Sequence, residues 1–301
     1  MKKLILDTDL GSDCDDCGAL SVIHNLQNSG KCELLGVMCN IANEYSPIAV
    51  RSINEWFKRG NIPIGQTSGE LFRNEPRNQI YTKTLACEYL KSHPKPEFED
   101  AVSLYRKILA ENQDVTVVSI GFLNNLADLL KSSPDSISPL CGEELVRKSV
   151  SKIYIMGGDF RKEAEISEYN IRMDIPSAAA VADFDGVAKV YLGWEVGIEV
   201  CTGHTLWQAS EKSPVRKAYE IFANTYGGAN EDGTYDRPSW DPMTAWYAIC
   251  DDESFMHESE KCRITFDCEG FVKIGADGND TYIILDNKSK AAEVIEALTG
   301  E

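Results

Sequence analysis

No part of this sequence approaches the roughly 20 consecutive apolar residues that a membrane helix needs, so no membrane span is expected. Leu4-Ile5-Leu6 follows two lysines, but three apolar residues are far too few for the apolar region of a secretion signal. Positive charge is scarce as well: 30 Lys and Arg face 48 Asp and Glu, a net charge of -18. A surface this acidic repels phosphate backbones, so nucleic acid is not an expected partner; neutral or cationic small molecules and metal ions are. The ten cysteines are scattered. Cys14 and Cys17 come closest to a pair, yet no second pair or histidine follows at zinc spacing. Free thiols in a reducing, cytoplasmic setting are therefore expected. Internal repeats, low-complexity tracts and an obvious linker are missing too, which favours one domain over 1–301.

What is present is alternation. Short β-rich apolar runs at 3–6, 32–39, 115–120, 152–158 and 188–193 read as strands, with another at 61–65. Amphipathic stretches at 15–30, 46–60, 98–112 and 122–133 read as helices; the first opens on acids and closes on Gly30, and the second has Pro47 near its start. Further helices are expected over 213–227, from 240, and over 289–300. Residues 262–285 read as antiparallel strands with turns at 268–270 and 276–280. Continuous Val/Ile/Leu strands alternating with helices imply an α/β fold: a mostly parallel central sheet flanked by helices, with a small antiparallel region near the C-terminus. Sites in such sheets lie at the carboxyl ends of the strands. There the sequence places an aspartate cluster, Asn43, Gly121 and Gly157-Gly158.

The cluster is Asp7, Asp9, Asp13, Asp15 and Asp16. Carboxylates this close repel one another and resist burial. Oxygen-only ligands suit a hard divalent cation, which would offset that repulsion. No His or Cys is placed to favour zinc or copper. An EF-hand does not fit, because the twelfth position counted from Asp7 is Gly18, where a bidentate Glu is needed. Charging and capping the helix at 15 accounts for Asp13 or Asp15 and leaves the rest unexplained.

The order of these residues resembles the nucleoside hydrolases of the inosine-uridine preferring type, which open on a strand, DxDxGxDD and a helix. Here the motif reads Asp7-Thr8-Asp9-Leu10-Gly11 and, after two added residues, Asp15-Asp16, followed by Cys17-Gly18-Ala19-Leu20; without the gap the final pair would fall on Asp13 and Cys14. ELLGVMCNIAN (33–43) resembles the family's second strand and its terminal asparagine, at Asn43 or Asn40. VTVVSIGFLNNLA (115–127) resembles a strand followed by GPLTNLA, and IYIMGG (153–158) the MGG turn. Glu168-Tyr169-Asn170 with Asp174-Ile175-Pro176 resembles ExN…DPxAA, and SWDPMTAWYA (239–248) resembles HDPLAVAYA.

Carried onto this chain, the resemblance implies a calcium ion held by Asp9, Asp16, Asp241 and a backbone carbonyl near Ile120. It implies that Asp9 acts as general base toward a water attacking C1′ of a ribosyl group, through an oxocarbenium-like transition state. Asp15, Asn43, Glu168, Asn170 and Asp241 would hold the ribose, with Met156 beneath it; Asn170 counts among the catalytic residues too. The implied partner is a small-molecule nucleoside, the implied setting is cytoplasmic nucleoside salvage, and the implied assembly is a homodimer or homotetramer. Plainer roles exist for several of these residues. Met156 could be core, Asn43 a helix cap, Glu168 a solvated loop acid, and Asn124 and Asn125 a helix start.

Two departures stand out. Many members carry a His before the last metal aspartate, suited to protonating the leaving base; here Trp240 takes that position, so it joins the catalytic candidates through stacking on a purine. His204 is a candidate replacement acid. The loop 159–167 also lacks the family's asparagine, so one contact to the 5′ side of ribose is missing or supplied elsewhere. Two other classes compete. A haloacid-dehalogenase-like phosphatase also starts with a strand and DxD, but it needs a hydroxyl where Gly11 stands and gives Asp15-Asp16 no role. A non-catalytic nucleoside- or ribose-binding protein would keep the pocket and lose turnover.

Overall fold

The computed structural model describes residues 1–300 apart from 74, 163, 165, 228 and 229. Its strands are β1 (Lys2–Thr8), β2 (Cys32–Cys39), β3 (Ile64–Gln66), β4 (Glu99–Asp100), β5 (Val115–Ser119), β6 (Val150–Met156), β7 (Lys189–Leu192), β8 (Cys201–Thr202), β9 (Arg237–Pro238), β10 (Met256–Glu258), β11 (Cys262–Phe266) and β12 (Val272–Leu285). Among the described residues, ten of these share one sheet in the order β10-β12-β7-β6-β5-β1-β2-β3-β4, with β11 on β12. All neighbours from β12 through β7 to β4 run parallel; β10 and β11 pair antiparallel with β12. This is the expected α/β domain with its small antiparallel region.

Alternation along the strands builds two core layers, because successive side chains leave a strand on opposite faces. Leu4, Leu6, Val118, Tyr154 and Leu192 pack with the helices Asp15–Asn28, Ser46–Trp56, Pro214–Tyr226, Trp240–Cys250 and Lys288–Thr299. Ile5, Val117, Ile153, Ile155 and Tyr191 face the other way, against Ala101–Glu111, Asn124–Lys131, Gly142–Ser149 and Ile175–Asp183. Each fully buried Leu or Ile here contributes about 1.5–3 kcal/mol, and Leu6→Ala would cost about 2–5 kcal/mol because no water can fill the gap. No helix among the described residues is long and apolar enough to cross a membrane.

The sequence reading errs at residues 276–280. The expected turn is absent: β12 runs through it as one strand, and the pairing slips there instead, Arg263 facing Gly275 while Cys262 faces Asp280. Asp277, at φ +62°, absorbs the extra residues as a bulge. Continuing past it, Thr281 and Tyr282 join the main sheet beside β7. The helices Thr82–Tyr89, Gly142–Ser149 and Ile175–Asp183 were not anticipated from the pattern.

Candidate active site

The parallel strands end on one rim. β1 runs into Asp9, β5 into Ile120-Gly121, β6 into Gly157-Gly158 and β7 into Gly193-Trp194. A cavity of about 480 Å³ opens there, lined among others by Asp9, Asp15, Asp16, Ile120, Met156, Glu168, Asn170, Trp240 and Asp241.

Two helix starts deliver the acids. Asp15 and Asp16 stand in the first turn of Asp15–Asn28, and Asp241 in the first turn of Trp240–Cys250. Helix N-termini carry partial positive charge, which favours anions there by about 0.3–1 kcal/mol each. The Asp241 backbone N–H donates to Asp15 Oδ2 at 3.2 Å, tying one helix start to the other. Asp15, Asp16 and Asp241 are all buried and offer oxygens within 4.8 Å of one another. Burial first, and then repulsion from neighbouring aspartates, Asp9 and Asp13 included, pushes all three carboxyls well above the usual range. Asp16 Oδ1 accepts from the Thr8 hydroxyl, while its Oδ2 is buried without a partner. A buried carboxylate oxygen left bare, aimed among other carboxylates, fits a hard cation and little else. The donor set therefore fits a divalent ion. Asp15, expected on the sugar, belongs to this triad; Asp9 lies beside it, close enough to raise the Asp16 and Asp241 carboxyls.

Asp9 is 3 % exposed and accepts from the Ser12 hydroxyl. Burial pushes its carboxyl up to about 6. Two glycines make its setting feasible. A Cβ at Gly121 would lie 2.6 Å from Asp9 N and 2.7 Å from its Oδ1. Gly11, at φ +136°, turns the loop where a Cβ would strike the Asn78 carbonyl at 2.5 Å.

On the neighbouring wall Glu168 caps the short turn Tyr169–Arg172, accepting from Asn170 N (2.9 Å), Ile171 N (3.2 Å) and Gly158 N (3.4 Å). Burial raises its carboxyl to about 7. Asn170 Nδ2 lies 3.3 Å from the Ile120 and Met156 carbonyls and 3.1 Å from Met156 Sδ. Three sequence-distant segments are thus locked into one surface. Met156 is both 4 % exposed core and cavity lining.

The far end is aromatic: Trp194, Phe222, Tyr226 and Trp240. Trp240 donates its indole N–H to the Trp194 carbonyl at 2.8 Å, so only its ring is offered to the cavity. Arg237 stacks on Phe222 and Trp240 and forms an ion pair with Asp13. Arg77 lines the cavity as well, over Phe72 and Tyr169.

Three expected residues lie elsewhere. Asn43 is buried away from the cavity: its amide donates to the Asn78 carbonyl, and its Oδ1 accepts from Tyr45 N at 3.0 Å, ahead of the helix at Ser46. Asn40 points to Asp7 (2.8 Å) and the Phe122 carbonyl (3.0 Å). His204 is outside the cavity, bonded to Thr234 at 3.0 Å and near Asp232 and Asp236. Residues 163 and 165 of the loop lacking asparagine fall outside the described residues. Sequence reasoning missed Ser12, Arg77, Tyr169, Trp194, Phe222, Tyr226 and Arg237. Tyr169 was signalled by its place between Glu168 and Asn170, and Arg237 by being a lone base four residues before Asp241.

A parallel sheet whose strand ends surround a cavity with clustered carboxylates, a capped glutamate and a fixed amide is the frame of a hydrolytic enzyme for a polar small molecule. The model of the inosine-uridine preferring nucleoside hydrolase family matches residues 4–301, and the chain belongs to that family. It is thus an N-ribosyl hydrolase, with ribonucleosides as its substrate class. Solved structures of similar fold include an inosine-uridine preferring nucleoside hydrolase from Bacillus anthracis (17 % identity, 99 % of each chain covered, TM-score 0.74). A plant nucleoside hydrolase (19 %, 99 % of this chain and 98 % of that one, 0.73) is similar too. So is a purine-preferring ribonucleoside hydrolase from Gardnerella vaginalis (16 %, 99 % and 98 %, 0.73). Comparison with curated protein sequences finds no match.

Proposed function

We propose that the chain hydrolyses the N-glycosidic bond of ribonucleosides with calcium bound, releasing free base and ribose. The observation that carries the reading is the bare Asp16 Oδ2 within the Asp15-Asp16-Asp241 triad, beside Asp9 and in the same cavity as Glu168 and Asn170. Those three aspartates, with Asp9 and the Ile120 carbonyl beside them, would hold the ion. Bound there, a divalent cation supplies charge that offsets the carboxylates and makes a nearby water easier to deprotonate.

The chain's own groups do the rest. Asp9, buried at the cavity beside the triad, is placed to take a proton from the attacking water. Asn170 and Met156 bring an amide oxygen and a thioether to the cavity, electron-rich groups suited to a sugar ring that turns positive. Glu168, its oxygens already fixed by backbone N–H groups, is placed to accept from a ribose hydroxyl. Trp240 presents a ring on which a purine can stack, worth about 0.5–1.5 kcal/mol beyond burial. Nucleoside salvage is the use this chemistry serves.

The test is incubation of calcium-loaded protein with a panel of purine and pyrimidine nucleosides, following released base. Ribose and base in equal amounts support the reading. Tight nucleoside binding with no turnover would establish the binding-protein alternative, and phosphate release from phosphoesters the phosphatase.

A further inference from the structure

The base end of the cavity has no acid among its described histidines, since none of them lines it. The Trp240 N–H is spent on the Trp194 carbonyl. It does have a fixed cation. Arg237 lines the cavity between Phe222 and Trp240, at 4.9 and 5.4 Å from the ring centroids. Asp13, from the two residues added to the opening motif, grips it: Nε donates at 2.8 and 3.1 Å, and Nη2 donates as well. The Tyr235 side chain stands close by. A guanidinium has five N–H donors, so some remain after these contacts. Both side chains are 24 % exposed, so the pair meets the cavity without being loose in solvent.

Resting on the hydrolase reading above, we infer that Arg237 is the electrophile that takes up the charge of the departing base, and that the base is a 6-oxopurine. When the C1′–N9 bond breaks, its electron pair stays with the base. In a 6-oxopurine that charge spreads to N7 and O6, two neighbouring acceptors that a guanidinium bonds side by side. The attacking water leaves its hydroxyl on C1′ and its proton on Asp9; the released base takes a proton from solvent. In a cavity this rich in carboxylates, an ionised base needs a cation beside it. Asp13 is a positioning residue: it fixes the guanidinium by one edge and leaves the other free. Arg77, over Phe72 and Tyr169, is tied to the sugar-holding turn instead.

The test compares inosine with p-nitrophenyl β-D-ribofuranoside, whose leaving group needs no help. In Arg237→Ala, kcat/KM for inosine should fall about 100-fold or more, and for the nitrophenyl riboside less than about tenfold. Added guanidinium should recover part of the inosine activity, and Asp13→Asn should show the same split, smaller. Equal losses on both substrates overturn the inference. The wild type gives a second reading that does not depend on the variants folding. Asp9 serves both substrates and cancels in the ratio of their rates. Asp13, Asp15, Cys14 and Tyr235 are the titratable groups around Arg237. The ratio should stay flat from about pH 6 to pH 8, below the range where inosine itself loses a proton, because a guanidinium keeps its charge; a fall with rising pH in that window would reveal a titrating acid and overturn the inference. Cleavage of the nitrophenyl riboside but not inosine would overturn the substrate class, while cleavage of neither would overturn the hydrolase reading itself.

Discussion

Asp7, near the end of β1, and Asp16, in the first turn of the helix that follows, are both fully buried carboxylates, and the chain treats them oppositely. Asp7 is satisfied: Oδ1 accepts from Asn40 (2.8 Å) and Asn125 (3.3 Å), and Oδ2 from the Tyr105 hydroxyl (2.8 Å). Asp16 has one hydroxyl partner and a bare oxygen. Asp7 faces neutral donors that hold the rim together; Asp16 faces other acids. A buried charge surrounded by its own donors is structural, whereas a buried charge left bare among like charges awaits something absent from the chain.

The largest effect should come from the bare side. Asp16→Asn or Asp241→Asn should cut base release about 1,000-fold, yet leave the melting temperature in calcium-free buffer unchanged or higher, since a repelling charge is gone. Loss of stability without loss of rate would reverse the roles assigned to the two aspartates. Gly121→Ala forces Asp9 aside and should lower kcat about 10–100-fold, visible in the same assay. Asp7→Ala belongs to the other side. It strands three donors and should cost about 3 kcal/mol in denaturant unfolding, with a smaller change in rate per folded molecule than Asp16→Asn.

Proton linkage probes both sides together. Burial lifts Asp7 to about 7, Asp9 to about 6 and Glu168 to about 7, from ordinary values of 3.8, 3.8 and 4.5. Without calcium the folded chain keeps protons that the unfolded chain releases above about pH 4, so stability should drop as pH rises from there to about 7. Melting curves at pH 5 and pH 8 with and without calcium would check this: the ion should stabilise more at pH 8. The smallest effect is His204→Ala, within about 0.5 kcal/mol in stability and with no loss of base release, because its partners are surface groups outside the cavity.

Much of this was legible in the chain. Parallel strands buried on both faces write themselves as unbroken Val/Ile/Leu runs, so 32–39 is read to the residue and 115–120 to within one. Once the strand ends are known, the acids that follow them are placed on the rim. Residues reaching the rim from helices and loops carry no such mark. Phe222 and Tyr226 lie one helical turn apart at the end of Pro214–Tyr226, and nothing in their spacing separates a cavity wall from a core stripe. Two asparagines follow β2, and the pattern does not separate them: Asn40 is held by Asp7 and the Phe122 carbonyl, Asn43 by the Asn78 carbonyl and Tyr45 N. The 276–280 segment has turn composition, but the pairing with β11 resumes on both sides of it, at Gly275 and Asp280, so the turn residues are taken up as a bulge within one strand.

Calorimetric titration of calcium into chelator-treated protein, run in parallel on Asp16→Asn, weighs the metal claim most directly. One ion per chain in the wild type, with binding lost or weakened at least about 100-fold in the variant, is the expected result. No heat of binding in the wild type, or the same affinity in both, would contradict it.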